Sequence, residues 1–355
     1  MNLPITMSGV VLTGHGGPEK LEYRTDLPVP APGPGEVLVR VLAAGVNNTD
    51  INTRIGWYDS AVTGATDSGD VGETGGWNGA IAFPRIQGGD LCGRVIALGD
   101  DVAPEWEGKR IVVQNCQPIP TAANPVALRV IGSDYDGGFA EYCMVPANQL
   151  FDVTDATLSD IELAAMPCAF GTAEGLLARA GVNPSDRVLI TGASGGVGMA
   201  AVKLAKLRGA HVTAVTSPAK ADAVREAGAD TVLGRDETAS ENYLTAVIDV
   251  VGGDATPDLL KALRSGGRYA VAGAIAGPLV TMDLRDIYLN DLTLFGCTFQ
   301  SRATFQGLVD HINAGRIRPL ISNTYPLADI ATAQDDFQSK RYPGKLVLVP
   351  PSETS

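Results

Sequence analysis

RVLITGASGGVG, residues 187–198, is a short apolar strand that breaks into glycines and then opens an amphipathic helix. Val188, Leu189 and Ile190 read as a strand buried on both faces. Val197, Ala201, Val202, Leu204 and Ala205 put apolar atoms on one side of the helix that follows, with Lys203 and Lys206 on the other. Between strand and helix, Ala193, Ser194, Gly195, Gly196, Val197 and Gly198 form an A-x-G-x-x-G version of the dinucleotide fingerprint. Missing side chains let the backbone approach a pyrophosphate and let the helix pack on its strand; the phosphates then face the positive end of the helix. A glycine-rich turn is often only a turn. Here the flanking strand and helix, in the right order, point to a nucleotide cofactor.

Outward from that stretch, the chain has two textures. Up to about residue 150, GEVLVRVLAAGV, RVIALG, KRIVVQ and EYCMVP are short strands separated by glycine, proline and aspartate, the pattern of a partly open, partly antiparallel β-barrel. From about residue 153, VLIT, HVTAVT, TVLG, AVIDVVG, RYAVAGA and LTLFGCTF alternate with helical segments, which predicts a doubly wound, six-stranded parallel sheet with crossover helices. A helix over about 305–314 and the strand GKLVLV follow. The expected architecture is therefore α/β, with residues 1–152 and 300–355 building the barrel domain and 153–299 the nucleotide-binding domain.

Bulk properties limit the partners. The chain has 355 residues, 45% hydrophobic, 42 glycines and a net charge of -13. No apolar run approaches the roughly 18 residues a membrane span needs, and the start, MNLPITMSGVVLTGHG, lacks a basic region before an apolar one, so the expectation is a cytoplasmic enzyme. An acidic chain argues against nucleic acid or an anionic membrane surface as partner, although a local basic pocket for a small anion remains open. Cys92, Cys116, Cys143, Cys168 and Cys297 are scattered, without a CxxC pair, and His15, His211 and His311 lie far apart. No metal site or disulfide framework follows from them, and the histidines read as structural or solvated. YDSAVTGATDSGDVGETGGWNGAIA, residues 58–82, has no lysine or arginine and reads as either a lid or pocket wall or a surface insertion.

GPGEVLVRV, AAGVNNTDINTRIGWY, FPRIQGGDLCGRVIALG, TAEGLLARAGVNPSDRVLITGASGGVG, VVGGD and GKLVLVP, in this order over nearly the whole chain, resemble the medium-chain dehydrogenase/reductase superfamily and, within it, the zinc-free branch of quinone oxidoreductases and enone reductases. The resemblance implies a GroES-like barrel domain, a Rossmann domain and a substrate cleft between them. Zinc-dependent relatives place a cysteine, a histidine followed by glutamate, and a second cysteine around a catalytic metal; this chain has Asn47, Gly89 with Asp90, and Cys168. One probable ligand is too few for a catalytic zinc, and the cysteine-rich structural zinc lobe is missing as well. Cys168 then reads as a small buried apolar residue.

The same resemblance implies site residues. Asn47, Asp50 and Arg54 reproduce the N-x-x-D-x-x-x-R pattern that lines the cleft beside the nicotinamide in quinone-reductase relatives. Asn47 is expected to donate to a developing enolate or quinol oxygen, Arg54 to be the nearest cation and Tyr58 to be a hydrogen-bond or proton donor, or merely packing. Asp50 is expected to orient neighbours or pair with Arg54, Thr172 to touch the nicotinamide ring, and Val251 and Gly252 of the VVGGD motif to bind cofactor. The second strand ends at Thr216 and Ser217 with no carboxylate for the ribose hydroxyls, while Lys220 follows it and Arg235 follows the third strand. Two hydroxyls and two cations suit the extra phosphate, so NADPH is the expected cofactor. LTLFGCTF would be an unprotected apolar edge unless it paired with a second copy, which predicts a homodimer. The expected activity is hydride transfer to a small electron-poor substrate, a quinone or α,β-unsaturated carbonyl. A metal-free carbonyl reductase or alcohol dehydrogenase and a non-catalytic, cofactor-binding adaptor remain the alternatives.

Overall fold

The strand Glu36–Gly45 is the hub of the first half of the molecule. The computed structural model describes residues 3–351. Val37, Leu38, Val39 and Val41 of this strand are buried, and it pairs antiparallel with Cys92–Leu98, Tyr142–Pro146 and the closing strand Lys345–Val349. The sheet runs in the order Leu150–Asp152, Arg110–Val113, Cys92–Leu98, Glu36–Gly45, Lys345–Val349, Ile321–Pro326, and Thr6–Leu12 with Leu21–Pro28 and Arg85–Ile86 forms a smaller one. Phe139, Ile111, Val113, Leu346 and Leu348 fill the core between them. The closing strand returns from the far end of the sequence in a register that sets Val347 opposite Gly45. Its first residue, Lys345, therefore reaches the segment just after Gly45.

The chain groups into two units. The first takes residues up to Val62, Val71–Cys168 and Ser301 onward; the second takes Thr63–Asp70 and Ala169–Gln300. Residues 153–168 thus stay with the barrel, past the expected change at 152. Arg110 explains it: its guanidinium donates to the carbonyls of Val153, Ala156 and Leu158 and pairs with Asp160 at 3.3 Å. Thr63–Asp70 joins the second unit through Thr66, whose N–H donates to the Ile275 carbonyl at 3.1 Å.

In the second unit, six parallel strands, here β1 (Arg187–Ile190), β2 (His211–Val215), β3 (Thr231–Leu233), β4 (Leu244–Asp249), β5 (Leu263–Val271) and β6 (Thr293–Gly296), lie in the order 3-2-1-4-5-6. Central strands buried on both faces read as continuous apolar runs, and β4 is buried along its whole length. The order reverses between β1 and its neighbours β2 and β4, so the loops after these strands form the crevice at the carboxyl ends where such sheets take ligands. At the other edge, β6 is largely exposed.

Candidate active site

The helix Asn48–Ile55, α1, starts immediately after Asn47 and is capped by it: the Asn47 N–H donates to Asp50 Oδ2 at 2.9 Å in a capping box. The same carboxylate accepts from the Gly89 N–H at 3.3 Å. Burial and the neighbouring Asp90 charge push the Asp50 carboxyl up to about 7, against the two N–H bonds and the Lys345 charge, which favour its ionised form.

Asn47 is buried, and its carboxamide is fully engaged. Nδ2 donates to Asp90 Oδ2 at 2.9 Å and to the Gly45 carbonyl at 3.4 Å, while Oδ1 accepts from the Lys345 ammonium. The ammonium, 3% exposed, also donates to the Val46 carbonyl at 2.9 Å and to Asp90 Oδ2 at 3.1 Å. Asp90 Oδ1 accepts from the Cys168 N–H at 2.6 Å. The expectation that Asn47 donates to substrate is corrected: both of its amide hydrogens already have acceptors inside the protein.

Arg54 is likewise corrected. Its guanidinium is 1% exposed and donates to the Gln334 Oε1 at 3.0 Å and the Gly16 carbonyl at 2.7 Å, tying α1 to the helix Ile330–Gln338 and to an N-terminal turn. That is a core anchor, unavailable to a substrate. Tyr58 instead lies with the site. Its hydroxyl donates to Thr49 Oγ1 at 3.2 Å, and its ring stacks on Trp77 with centroids 5.6 Å apart and planes at 12°. Burial pushes the phenol up to about 12, with the Cys168 and Cys116 thiols among its neighbours.

The phosphate cradle lies in the second unit. The helix Gly196–Leu207, α2, begins after Gly195, whose backbone is extended, and buries Met199, Ala201, Val202, Leu204 and Ala205. A Cβ on Gly198 would sit 2.2 Å from the Gly192 carbonyl oxygen, so only glycine lets helix and turn close up. Ala193 and Ser194 are buried, Gly196 and Val197 half-buried and Gly195 exposed. After β4, the buried Asp249 carboxylate accepts from the N–H groups of Val251 at 2.8 Å and Gly252 at 3.2 Å and from the hydroxyls of Thr191 and Tyr269. After β2, Thr216 Oγ1 is buried with no partner among the described residues and Ser217 is half-buried. Burial and the nearby Arg235 charge pull the Lys220 ammonium down, so the two cations share one locality. Thr172 is half-buried on the helix Pro167–Arg179. A glycine cradle, an orphaned hydroxyl and two adjacent cations fit a dinucleotide.

Residues 33–155 match the family model described as alcohol dehydrogenase GroES-like domain, and residues 196–314 that described as zinc-binding dehydrogenase. A solved structure of a putative alcohol dehydrogenase from Sinorhizobium meliloti is 42% identical with a TM-score of 0.87, covering 98% of each chain. This chain belongs to the medium-chain dehydrogenase/reductase superfamily. An NAD-dependent alcohol dehydrogenase of Sulfurisphaera tokodaii is 27% identical, covering 97% of this chain and 100% of its own. An acryloyl-coenzyme A reductase of Metallosphaera sedula is 28% identical, covering 96% and 99%.

The residues of this superfamily member do not fit the zinc implied by the name of one of those models. Asn47 and Asp90 already hold an ammonium, and a Cβ on Gly89, such as a histidine would need, would fall 2.0 Å from Asn115 Nδ2. No group of three or more His, Cys, Asp or Glu able to hold a metal ion occurs among the described residues. Sequence reasoning named Asp90 only as a missing ligand and passed over Lys345, Thr49 and Asp249. A lysine opening an otherwise apolar strand, KLVLV, was the available signal for the first.

The raised Asp50 carboxyl gives a test. Its ordinary value lies near 3.8 and its folded value near 7, so the folded state holds the proton more tightly. Its contribution to stability is complete below the ordinary value and is lost as pH rises through about 7. Relative to the parent, Asp50→Asn should therefore gain stability on going from about pH 4.5 to pH 8, by a few kcal/mol. Denaturant midpoints at the two pH values measure it; a pH-independent difference would show that Asp50 titrates normally.

Proposed function

We propose that this chain is a metal-independent oxidoreductase that uses NADPH to reduce a small electron-poor alkene or quinone. The observation that carries the reading is the Lys345 ammonium bonded to both Asn47 and Asp90, in the place where the resemblance puts catalytic zinc ligands. A site without a Lewis acid suits acceptors whose own conjugation spreads the incoming charge. The relative named an acryloyl-coenzyme A reductase supports reduction of a conjugated double bond.

Ala193–Gly198, Thr172, Val251 and Gly252 would hold the dinucleotide, and Thr216, Ser217, Lys220 and Arg235 its ribose phosphate. When bound, reduced nicotinamide supplies a hydride, two electrons in one step. The acceptor takes that hydride on one atom and a proton on another, becoming a saturated ketone or a hydroquinone. In the first unit, the Tyr58 hydroxyl donates a hydrogen bond to Thr49 Oγ1, which leaves the Thr49 hydroxyl hydrogen to reach the developing oxyanion. A phenol held up near 12 polarises Thr49 without releasing its proton near neutral pH, so the proton comes from solvent.

A carbonyl reductase or alcohol dehydrogenase is the second reading, favoured by two relatives named as alcohol dehydrogenases. No helix among the described residues is long and apolar enough to cross a membrane. Five free cysteines suit a reducing, cytoplasmic setting. Leu279, Leu284, Tyr288, Leu289 and Leu294, all at least 40% exposed, gather on and just before the open edge strand β6, which suits pairing with a second copy.

Four outcomes are expected. Chelator-treated protein with NADPH should reduce enones or quinones in a substrate panel and leave simple ketones untouched. Thr49→Val should slow turnover about a hundredfold and Tyr58→Phe less; cofactor binding without any turnover would make this an adaptor. Lys220→Ala with Arg235→Ala should lower the NADPH to NADH efficiency ratio about tenfold or more, and an unchanged ratio would show that these two cations do not bind the ribose phosphate. Sedimentation at micromolar concentration should show two chains, reduced to one by Leu289→Asp.

A further inference from the structure

The 25 residues from Tyr58 to Ala82 carry Asp59, Asp67, Asp70 and Glu73 and no lysine or arginine. They are not a slack insertion. Asp59, half-buried at the start of the loop, accepts through Oδ2 from the N–H groups of Glu73 and Thr74, both at 3.1 Å, and from the Thr74 hydroxyl at 2.8 Å. These bonds, with a further one from the Ala61 N–H, hold its carboxyl down at about 2, so the clamp stays charged at any working pH. Three residues on from Thr74 is Trp77, stacked on Tyr58; the next residue, Asn78, donates to Asp134 Oδ2 at 2.7 Å and to the Leu128 carbonyl at 3.0 Å. Trp77 is thus pinned from both sides. Trp57 meets the same tyrosine edge-on, with centroids 5.5 Å apart. Arg129, which lines one cleft with Asn78, lies over the Tyr135 ring at 4.2 Å.

We propose that Trp57, Tyr58 and Trp77 form a preformed aromatic shelf beside Thr49 that selects flat, uncharged acceptors bearing a ring, and that the acidic loop turns away thioesters of coenzyme A. The inference rests on the reading of Thr49 and Tyr58 as the oxyanion donors. A conjugated ring system gains from offset or edge contact with rings that are already fixed, because little side-chain freedom is lost when it binds. A coenzyme A thioester carries several phosphate charges on a long arm that leads away from the acceptor group, and that arm needs cations along its path, which the acidic loop does not offer.

The test uses the full chain with NADPH and three probes: benzylideneacetone, flat and ring-bearing; methyl vinyl ketone, the same conjugated group without a ring; and acryloyl-coenzyme A. The expected kcat/KM is at least tenfold higher for benzylideneacetone than for either of the others. Trp77→Ala should raise the KM for benzylideneacetone about tenfold more than that for methyl vinyl ketone, with Trp77→Phe restoring most of the difference. Glu73→Lys should lower the KM for acryloyl-coenzyme A. Equal efficiency with the thioester, or equal effects of Trp77→Ala on both ketones, would overturn the proposal. If no probe is reduced, the reductase reading fails separately. Quenching of tryptophan fluorescence by benzylideneacetone then decides the shelf: weaker binding in Trp77→Ala than in the parent, largely restored in Trp77→Phe, upholds it, and unchanged binding in Trp77→Ala refutes it.

Discussion

A lysine ammonium in the protein interior constrains everything around it. Lys345 and Asp90 are 3% and 0% exposed at their side chains, and an unpaired charge at either place would cost several kcal/mol. The pair survives because each partner is also hydrogen-bonded: the ammonium to Asn47 and the Val46 carbonyl, the carboxylate to Asn47 and the Cys168 N–H. Four remote stretches of chain meet there, the end of the hub strand, the segment 87–90, the start of the helix Pro167–Arg179 and the closing strand. With one ammonium for two carboxylates, Asp50 is the member that keeps its proton toward neutral pH. Its bonds to the N–H groups of Asn47 and Gly89 set the first turn of α1, and Thr49 inherits its position from that turn.

The second unit solves a related problem with the same residue type. Asp249 ends β4 fully buried and accepts from two N–H groups of the next turn and from two hydroxyls on neighbouring strands. In both units a buried aspartate converts a loop into a fixed surface, because a carboxylate that accepts several N–H groups leaves the backbone around it few alternatives. Functional loops ordinarily sit at the low-stability end of a structure. Here the turns that would face cofactor and acceptor are held from beneath by buried carboxyl groups.

The six parallel strands were legible in order because each is a short apolar run bounded by glycine or polar residues, and the glycine turn after β1 has a sterically unique place. The passage from barrel to sheet was not, since residues 153–160 are retained by Arg110, a long-range contact that leaves no local pattern. Arg54 shows the same limit at the site. Spacing placed it four residues after Asp50 on one helix, but its direction is set by Gly16 and Gln334, the latter 280 residues away. Lys345 was hidden for a similar reason: a cation at the start of an apolar strand looks like a solvated end until its partners across the sheet are known. The loop over 58–82 was open between wall and insertion, and the carboxylate of Asp59 and the ring of Trp77 are what give it form.

The placement of charge bears on the chemistry as well. Lys345 is spent inside the protein on Asn47 and Asp90, and Arg54 on the core, so neither can meet an oxyanion. What remains at this turn is a pair of hydroxyls, Tyr58 feeding Thr49, and a hydroxyl dipole stabilises less charge than a cation does. If the proposed reading holds, an acceptor reduced here would carry part of its new charge by its own delocalisation. A conjugated enone or a quinone does so through its π system. On the proposed reading a simple ketone, which concentrates the charge on one oxygen, would find no cation free to meet it.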